Sequence, residues 1–399
     1  MTDSKLKNVR PDTLAAHAGL DPMAHQGIVN PPVYHASTVL FPSLEALEES
    51  DRNPFDIVNY GRVGTPTTFA LEQAVAEMEG GYRSVTAASG LAAIATALSA
   101  FARSGDHILV TDSAYGPTRR FCNEVLAGFG VETEYFDPLV SGDIARLIRP
   151  NTRLVYLESP GSLTFEVQDV PAIAVAAKAR GVAVLMDNTW ATPLCFNSFA
   201  HGVDVSIHAA TKYIVGHSDA MLGLIVCSNK ETWEPVKRTA VRFGTTAGPD
   251  DVYLGLRGLR TLPVRLKRHH EASVELAVWL KRRPEVARVL HPALPGDPGH
   301  ALWRRDFTGA SGLFAVELKP CSKTALAAMV DHLDLFGLGY SWGGFESLVL
   351  PIHPARARTA TRDRWKDAGP MVRFHAGLED VHDLMGDLER GFTRLAAAS

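Results

Sequence analysis

The chain has 399 residues, of which 46% are hydrophobic and 21% are charged, as in a globular protein long enough for two domains. A formal net charge of −4 gives no reason to expect nucleic acid or an anionic membrane as partner, and no apolar run approaches the roughly 18 residues of a membrane span. The four cysteines are scattered, so neither a disulfide framework nor a metal site is indicated, and the polar start lacks the apolar core of a signal peptide. These features predict a cytoplasmic protein.

Residues 1–60 carry scattered prolines and little hydrophobic periodicity, apart from a short helical pattern over Ser43–Glu49. A segment that cannot bury its own apolar side chains usually packs on another surface. We therefore predict an N-terminal arm that packs on a neighbouring subunit.

Short apolar runs alternate with helical patterns through residues 61–256. Strands are predicted, for example, at His107–Thr111, Arg153–Leu157 and Gly223–Cys227. This alternation is typical of a largely parallel sheet covered by helices, so the segment is predicted to be an α/β large domain.

One predicted helix in this domain begins with small residues after a short strand. Ser89 and Gly90 lie at the start of an Ala/Leu-rich helix, where free backbone N–H groups and the helix dipole attract an anion. Gly90 would let the backbone approach a phosphate closely. The alternative is an ordinary helix cap, because the segment is neither a Walker A nor a G-x-G-x-x-G sequence.

Two predicted strands end on residues that can do covalent chemistry. Asp187 ends the apolar run that starts at Val182, and Lys212 follows the run that starts at Asp204. In a parallel sheet both would project into a cleft at the carboxyl ends of the strands. A lysine amine forms a Schiff base with an aldehyde cofactor, and a carboxylate holds a pyridine nitrogen protonated, so the pairing suggests pyridoxal phosphate. Thr211 could add a hydroxyl to the phosphate site.

Residues 257–399 are predicted to form a smaller α+β domain. A long helix after Pro249 links it to the large domain, and strands are expected at Gly312–Leu318 and Ser347–Leu350. An amphipathic helix is expected from Val381.

Six segments, in order, resemble the Cys/Met-metabolism family of fold-type-I pyridoxal phosphate enzymes, most of all its bacterial cystathionine β-lyase branch. The resemblance covers nearly the whole chain and implies the fold-type-I α/β architecture, with a mostly parallel large sheet and a smaller C-terminal domain. The segments are 59–68 (NYGRVGTPTT), 88–93 (ASGLAA), 187–193 (DNTWATP), 210–213 (ATKY), 256–262 (LRGLRTL) and 341–347 (SWGGFES).

The resemblance also implies roles for individual residues. Lys212 and Tyr115 would be catalytic, with Tyr115 stacked on the cofactor ring, and Arg373 would bind the substrate α-carboxylate. Tyr60 and Arg62 would reach the cofactor phosphate of a neighbouring subunit, so active sites would be shared between at least two chains, and the family resemblance implies a homotetramer of paired dimers. Cofactor binding is expected at Tyr60, Arg62, Ser89, Gly90, Leu91, Tyr115, Asp187, Thr211 and Lys212, and substrate binding at Tyr340, Ser341, Trp342 and Arg373.

Some positions depart from the wider family. Ala209 stands where many members have a serine, Ser206 is a doubtful replacement, and a tyrosine of the β-lyase pocket is replaced near Val241. The implied reaction is cleavage of L-cystathionine to homocysteine, pyruvate and ammonia, as in methionine biosynthesis. Alternatives are a cystathionine or methionine γ-lyase, a γ-synthase and a β-lyase of broad cysteine S-conjugate scope. Outside enzymes of this kind, the alternatives are a nucleotide-binding Rossmann protein, against which the absence of G-x-G-x-x-G and Walker A sequences argues, and a cofactor-less relative, against which the presence of Lys212 argues.

Overall fold

A computed structural model describes residues 9–398, beginning with an arm that lies over the rest of the molecule. The arm contains helices α1 (Pro11–His17) and α2 (Leu44–Arg52), and the Ser43 hydroxyl caps α2 by accepting from the Ala46 N–H at 3.2 Å. Several large apolar side chains of the arm are exposed, among them Ile28, Val29, Leu40 and Leu44.

Within residues 9–398, the first sheet has seven strands, in the order β1-β7-β6-β5-β4-β2-β3. Only β7 runs antiparallel to its neighbours, so the sheet is mostly parallel, as predicted. The strands are β1 (Arg83–Ala87), β2 (His107–Thr111), β3 (Glu132–Phe136), β4 (Thr152–Glu158), β5 (Ala183–Asp187), β6 (Val205–His208) and β7 (Gly223–Cys227).

Helices cover both faces of this sheet. Alternate residues of a strand point to opposite faces, and in β5 Val184 and Met186 join one hydrophobic cluster while Leu185 joins the other. The helices are α3 (Pro66–Glu79), α4 (Gly90–Phe101), α5 (Gly116–Arg120), α6 (Val170–Lys178), α7 (Thr192–Cys195) and α8 (Lys230–Phe243).

Helix α9 (Pro249–Leu280) runs through the predicted domain boundary at 256/257 and leads to the second sheet. Within the described residues that sheet has five strands, in the order β10-β11-β12-β9-β8. The strands are β8 (Val286–Leu290), β9 (Leu313–Leu318), β10 (Gly337–Leu338), β11 (Leu348–Ile352) and β12 (Met371–His375), and the helices are α10 (His300–Asp306), α11 (Lys323–Val330), α12 (Arg362–Trp365) and α13 (Val381–Ala397).

The α/β class with a smaller C-terminal sheet is therefore confirmed. In the part of the chain that the structure describes, no helix is both long and apolar enough to cross a membrane.

Candidate active site

Lys212 lies between the two sheets, just beyond the carboxyl end of β6. Its Nζ donates a hydrogen bond to Ser341 Oγ at 2.5 Å and lies 5.5 Å from the centre of the Trp342 ring. Burial and the nearby Arg373 guanidinium lower the pKa of Lys212 to about 8. At neutral pH more of this amine is therefore unprotonated and nucleophilic than of an ordinary lysine.

Asp187, the last residue of β5, is buried, and one of its carboxylate oxygens accepts hydrogen bonds from Thr189. The N–H of Thr189 donates to Asp187 Oδ1 at 2.9 Å, and the Thr189 hydroxyl donates to the same oxygen. Within residues 9–398, no hydrogen bond reaches Oδ2. Burial raises the pKa of Asp187, so its ionised form needs a cationic partner, and a protonated ring nitrogen would supply one.

The start of α4 supplies free backbone donors beside the lysine segment. Ser89 Oγ accepts from the Ala92 N–H at 3.1 Å, which leaves the N–H groups of Gly90 and Leu91 without helical acceptors. A Cβ on Gly90 would lie 2.4 Å from Ala209 Cβ. Gly90 is thus required by the close approach of the segment that carries the lysine, a reason that the sequence did not reveal.

The two other hydroxyls considered for the phosphate already have partners in the protein. Thr211 Oγ1 accepts from the Leu222 N–H at 2.8 Å and can donate to the Leu222 carbonyl at 3.1 Å, so its phosphate contact stays a prediction. Ser206 donates to the buried Glu79 carboxylate at 2.8 Å and contacts Ser198 at 3.1 Å. Ser206 therefore does not replace the hydroxyl that is missing at position 209.

Tyr115 lies in the cleft with Lys212 and Asp187, after the end of β2 and immediately before α5. Its backbone N–H donates to Glu158 Oε2 at 2.7 Å, while its side chain is 44% exposed. Burial of part of the ring, with the charges of Glu158 and Asp187, raises the pKa of the phenol. The neutral Tyr115 phenol thus lies near Asp187 and Arg373, where a ring bound in the cleft could stack on it.

Arg373 reaches the cleft from β12 in the second sheet. Its Nη2 donates to the Ser341 carbonyl at 3.0 Å. Burial lowers its pKa to about 10, so the guanidinium remains charged at neutral pH. Within the described chain no carboxylate forms an ion pair with it. A substrate carboxylate could therefore bind to its planar fork.

The turn that carries Ser341 also brings in Trp342. The Trp342 ring lies 5.5 Å from the Tyr213 ring, next to Lys212. Tyr340, immediately before the turn, is 87% exposed in the single chain. The substrate contacts of Tyr340 and Trp342 stay predictions.

Tyr60 and Arg62 do not join this cluster within one chain. Arg62 Nη1 donates to the Val241 carbonyl at 2.6 Å, and its guanidinium lies 5.6 Å from the centre of the Tyr60 ring. Among the contacts of residues 9–398, none connects either residue to Lys212 or Asp187. Their predicted contact with a phosphate in a neighbouring subunit stays a prediction.

Thr189 and Glu158 were missed as functional residues from sequence. A signal for Thr189 was present, because a hydroxyl two residues after a strand-terminal carboxylate can hydrogen-bond back to it. Glu158 had none, since its contact with Tyr115 spans 43 residues of chain.

The model of the family described as "Cys/Met metabolism PLP-dependent enzyme" matches residues 12–393. The chain belongs to this family. It is 46% identical to cystathionine β-lyase of Escherichia coli (strain K12) over 99% of this chain and 100% of the relative. It is 44% identical to cystathionine β-lyase of Salmonella typhimurium (strain LT2) over the same shares. Among solved structures, a cystathionine γ-synthase of Xanthomonas oryzae pv. oryzae superposes with a TM-score of 0.90 at 32% identity, covering 98% of this chain and 100% of that chain.

Membership confirms the predicted family, the enzyme class and the cofactor, pyridoxal 5′-phosphate. It also excludes the nucleotide-binding alternative. The residues of the cleft fit the cofactor: Lys212 offers an amine of lowered pKa, Asp187 a buried carboxylate with a free oxygen, and α4 an N-terminus for the phosphate.

Proposed function

We propose that the protein is a carbon–sulfur β-lyase that cleaves L-cystathionine to homocysteine, pyruvate and ammonia. The observation that carries this proposal is the position of the Lys212 amine, 2.5 Å from Ser341 Oγ and within the electrostatic influence of Asp187 and Arg373. The Asp187 carboxylate suits the ring nitrogen of the cofactor, and the Arg373 guanidinium suits the carboxylate of an amino acid. Full-length similarity to proteins described as cystathionine β-lyases supports the choice of substrate.

Arg373 and Ser341 would orient the amino acid. A bidentate contact of the Arg373 guanidinium with the α-carboxylate fixes two atoms of the substrate and turns its Cα–H bond towards Lys212. Ser341 Oγ accepts from Lys212 Nζ and so holds the amine on the side of the site where the Cα–H bond would lie.

Lys212 would then act first as a base and afterwards as an acid. Bound pyridoxal phosphate supplies an electron sink for the charge that develops at the substrate Cα. The neutral Lys212 amine takes the α-proton; the electron pair of the Cα–H bond forms a Cα–Cβ double bond as the Cβ–S bond breaks. The Lys212 ammonium then returns a proton to the departing thiolate, which leaves as homocysteine. The three-carbon enamine that remains is released, tautomerises to an imine and is hydrolysed by water to pyruvate and ammonia. Asp187 would stay ionised and hold the ring nitrogen of the bound cofactor protonated.

The residue before Ser341 bears on the choice between β- and γ-elimination. The family resemblance places a glutamate there in γ-lyases, which would read the distal ammonium of the substrate, whereas this chain has Tyr340. A neutral phenol cannot pair with an ammonium as a carboxylate does. γ-Elimination also needs a second proton to be taken from Cβ, so one base positioned at Cα favours β-elimination.

The product identifies the reaction. We would incubate the purified holoenzyme with L-cystathionine and with S-alkyl cysteines, and identify the keto acid by chromatography and mass spectrometry. Pyruvate is expected, and pyruvate from the S-alkyl cysteines at comparable kcat/KM would indicate a β-lyase of broad scope instead. Mainly 2-oxobutyrate, or joining of cysteine to an activated homoserine ester, would refute the proposal.

We further propose that the enzyme is a tetramer of paired dimers that acts in the cytoplasm. The exposed apolar side chains of the arm, of which Leu40 is 88% accessible, support packing on another subunit. The four cysteines are free thiols, which accords with a reducing compartment.

A further inference from the structure

The turn Ser341–Glu346 touches the backbone of the catalytic lysine. Gly343, near its middle, has φ +88°, and a Cβ at this position would lie 2.9 Å from Lys212 Cα. Ser341 itself has φ +79°, a conformation that is unfavourable for a residue with a Cβ. Contacts from the rest of the protein must therefore hold this turn in place.

His375 makes two such contacts. It lies on β12 two residues after Arg373, so both side chains point to the same side of the strand. The Gly343 N–H donates to His375 Nε2 at 3.0 Å, and His375 Nδ1 lies 3.1 Å from the Glu346 carbonyl. The imidazole thus spans the turn from its third residue to its last.

The two partners fix the protonation state of the ring. Nε2 must be unprotonated to accept from Gly343, and Nδ1 must carry the proton to donate to Glu346. Burial, together with the charges of Arg373 and Lys212 and the neighbouring His269 of α9, holds the pKa of His375 well below its usual range. The ring is 1% exposed and packs against the rings of His269 and Tyr213, so its orientation is also fixed.

The other end of the turn is held independently. Glu379 accepts from the N–H and the hydroxyl of Ser347, each at 2.8 Å, and the Ser347 hydroxyl accepts from the Gly377 N–H. These bonds secure the exit of the turn into β11. Phe345 and Glu346 are also held, because the Phe345 carbonyl accepts from the Leu378 N–H at 2.8 Å and Ser218 Oγ donates to the Glu346 carboxylate. Among the described hydrogen bonds, the Gly343–His375 bond is the one that holds residues 342–344, beside Lys212.

We propose that His375 is a positioning residue, which holds Ser341 and Trp342 in register with Lys212 and thereby sets the affinity of the site for its amino-acid substrate. This inference rests on the proposed function for the identity of the substrate. The placement of the turn is a property of the protein alone.

Two substitutions of His375 test its two hydrogen bonds one at a time. In His375→Gln, the side-chain oxygen can reach the position of Nε2 and accept from Gly343, while the bond to Glu346 is lost. In His375→Asn, the side-chain nitrogen can take the place of Nδ1 and donate to Glu346, while Gly343 loses its acceptor. The control is His291→Asn, since His291 is a fully buried histidine in the same domain that bonds to Ser273 and to the Ala293 N–H.

The first measurement is hydrogen exchange of the peptide 341–347 in protein from which the cofactor has been removed. The second is the dissociation constant of L-alanine, which has no β leaving group, read from the visible band of the holoenzyme. In His375→Asn we expect exchange of the peptide to quicken and the dissociation constant to rise, each about tenfold, because one buried N–H has lost its acceptor. His375→Gln should stay within about threefold of wild type in both measurements.

Exchange and affinity in His375→Asn that match the wild type, or that change no more than in His291→Asn, would overturn the proposal. If His375→Asn fails to fold, His375→Gln decides: retention of both properties supports the proposal, and loss of both contradicts it. Faster exchange in His375→Asn combined with 2-oxobutyrate as the wild-type product would refute the β-lyase assignment and leave the positioning role standing.

Discussion

In the cleft around Lys212, buried charges meet partners from both sheets, whereas the N-terminal arm leaves large apolar side chains in contact with solvent. Asp187, Lys212 and Arg373 come from three separate segments and are positioned by contacts inside one chain. Tyr60 and Arg62 lie where the arm joins the large domain, and their described contacts are with each other, Thr38, Val63 and the Val241 carbonyl. One chain thus brings together the groups proposed for proton transfer and carboxylate binding, whereas the predicted contact of Tyr60 and Arg62 with the phosphate needs a second chain.

The largest effect is expected from Lys212→Ala. Without the amine neither proton transfer has a catalyst, so kcat should fall by at least about 10³-fold. The protein should still bind some cofactor non-covalently, because Asp187 and the start of α4 remain. Steady-state kinetics and the cofactor content of the dialysed protein check both statements. Lys237→Ala, which removes a buried lysine that bonds to the Val63 carbonyl, is the control for loss of a buried amine.

The dependence of the arm on a neighbour can be tested by mixing two inactive variants. If each site combines Lys212 of one chain with Arg62 of another, equal amounts of Arg62→Ala and Lys212→Ala chains should recover about a quarter of wild-type activity after subunit exchange. Half of the dimers are then hybrids, and each hybrid has one intact site of two. No recovery after exchange has been demonstrated by mass spectrometry would mean that the arm serves its own subunit.

Arg373→Lys tests the carboxylate site of the cleft. A lysine keeps the charge but loses the planar fork, so KM for cystathionine should rise by about 10- to 100-fold, with a smaller change in the visible band of the bound cofactor. Arg268→Lys is a matched control, because Arg268 also donates to a backbone carbonyl, that of Glu379. An unchanged KM in Arg373→Lys would place the substrate carboxylate elsewhere.

Two buried histidines, His269 in α9 and His291 just after β8, should make the free energy of unfolding depend on pH. Burial lowers the pKa of His269 to about 4 and that of His291 to about 3. The unfolded chain takes up these protons near pH 6.5 and the folded chain does not, so stability is complete above that pH and falls as the pH decreases towards 4. Each histidine contributes up to about 1.4 kcal/mol per pH unit to the free energy of unfolding. Denaturant titrations at pH 7.5 and pH 5 should give a smaller difference in the free energy of unfolding for His291→Asn than for His17→Asn, a substitution at an exposed position of the arm.

The smallest effect is expected from Tyr340→Glu. A carboxylate before Ser341 could pair with the distal ammonium of the substrate, and the share of 2-oxobutyrate among the keto acids should rise from near zero. Tyr340→Gln, which is of similar length but uncharged, should leave that share unchanged. Equal product ratios in both variants would remove Tyr340 from the explanation of reaction choice.

Much of the fold and the central residues of the cleft could be predicted from the sequence. The runs that end at Asp187 and precede Lys212 are short and apolar, and parallel strands bring their ends to one edge of a sheet. The roles of Arg373 and Tyr115 came only from the family resemblance, since one arginine or tyrosine in a strand or turn has many explanations. Contacts between residues far apart in the sequence could not be predicted, because they depend on how helices and strands pack together. Examples are the contacts of Glu158 with Tyr115 and of Gly90 with Ala209.

The central claim, that Lys212 is the residue that binds the cofactor covalently, can be tested by reducing the holoenzyme with borohydride and mapping the modified peptide. The visible band of the bound cofactor should bleach, and mass spectrometry should find the cofactor fixed on Lys212, in the peptide that includes Thr211 and Tyr213. Recovery of the label on any other lysine, or the absence of a visible band after reconstitution with pyridoxal phosphate, would contradict the account.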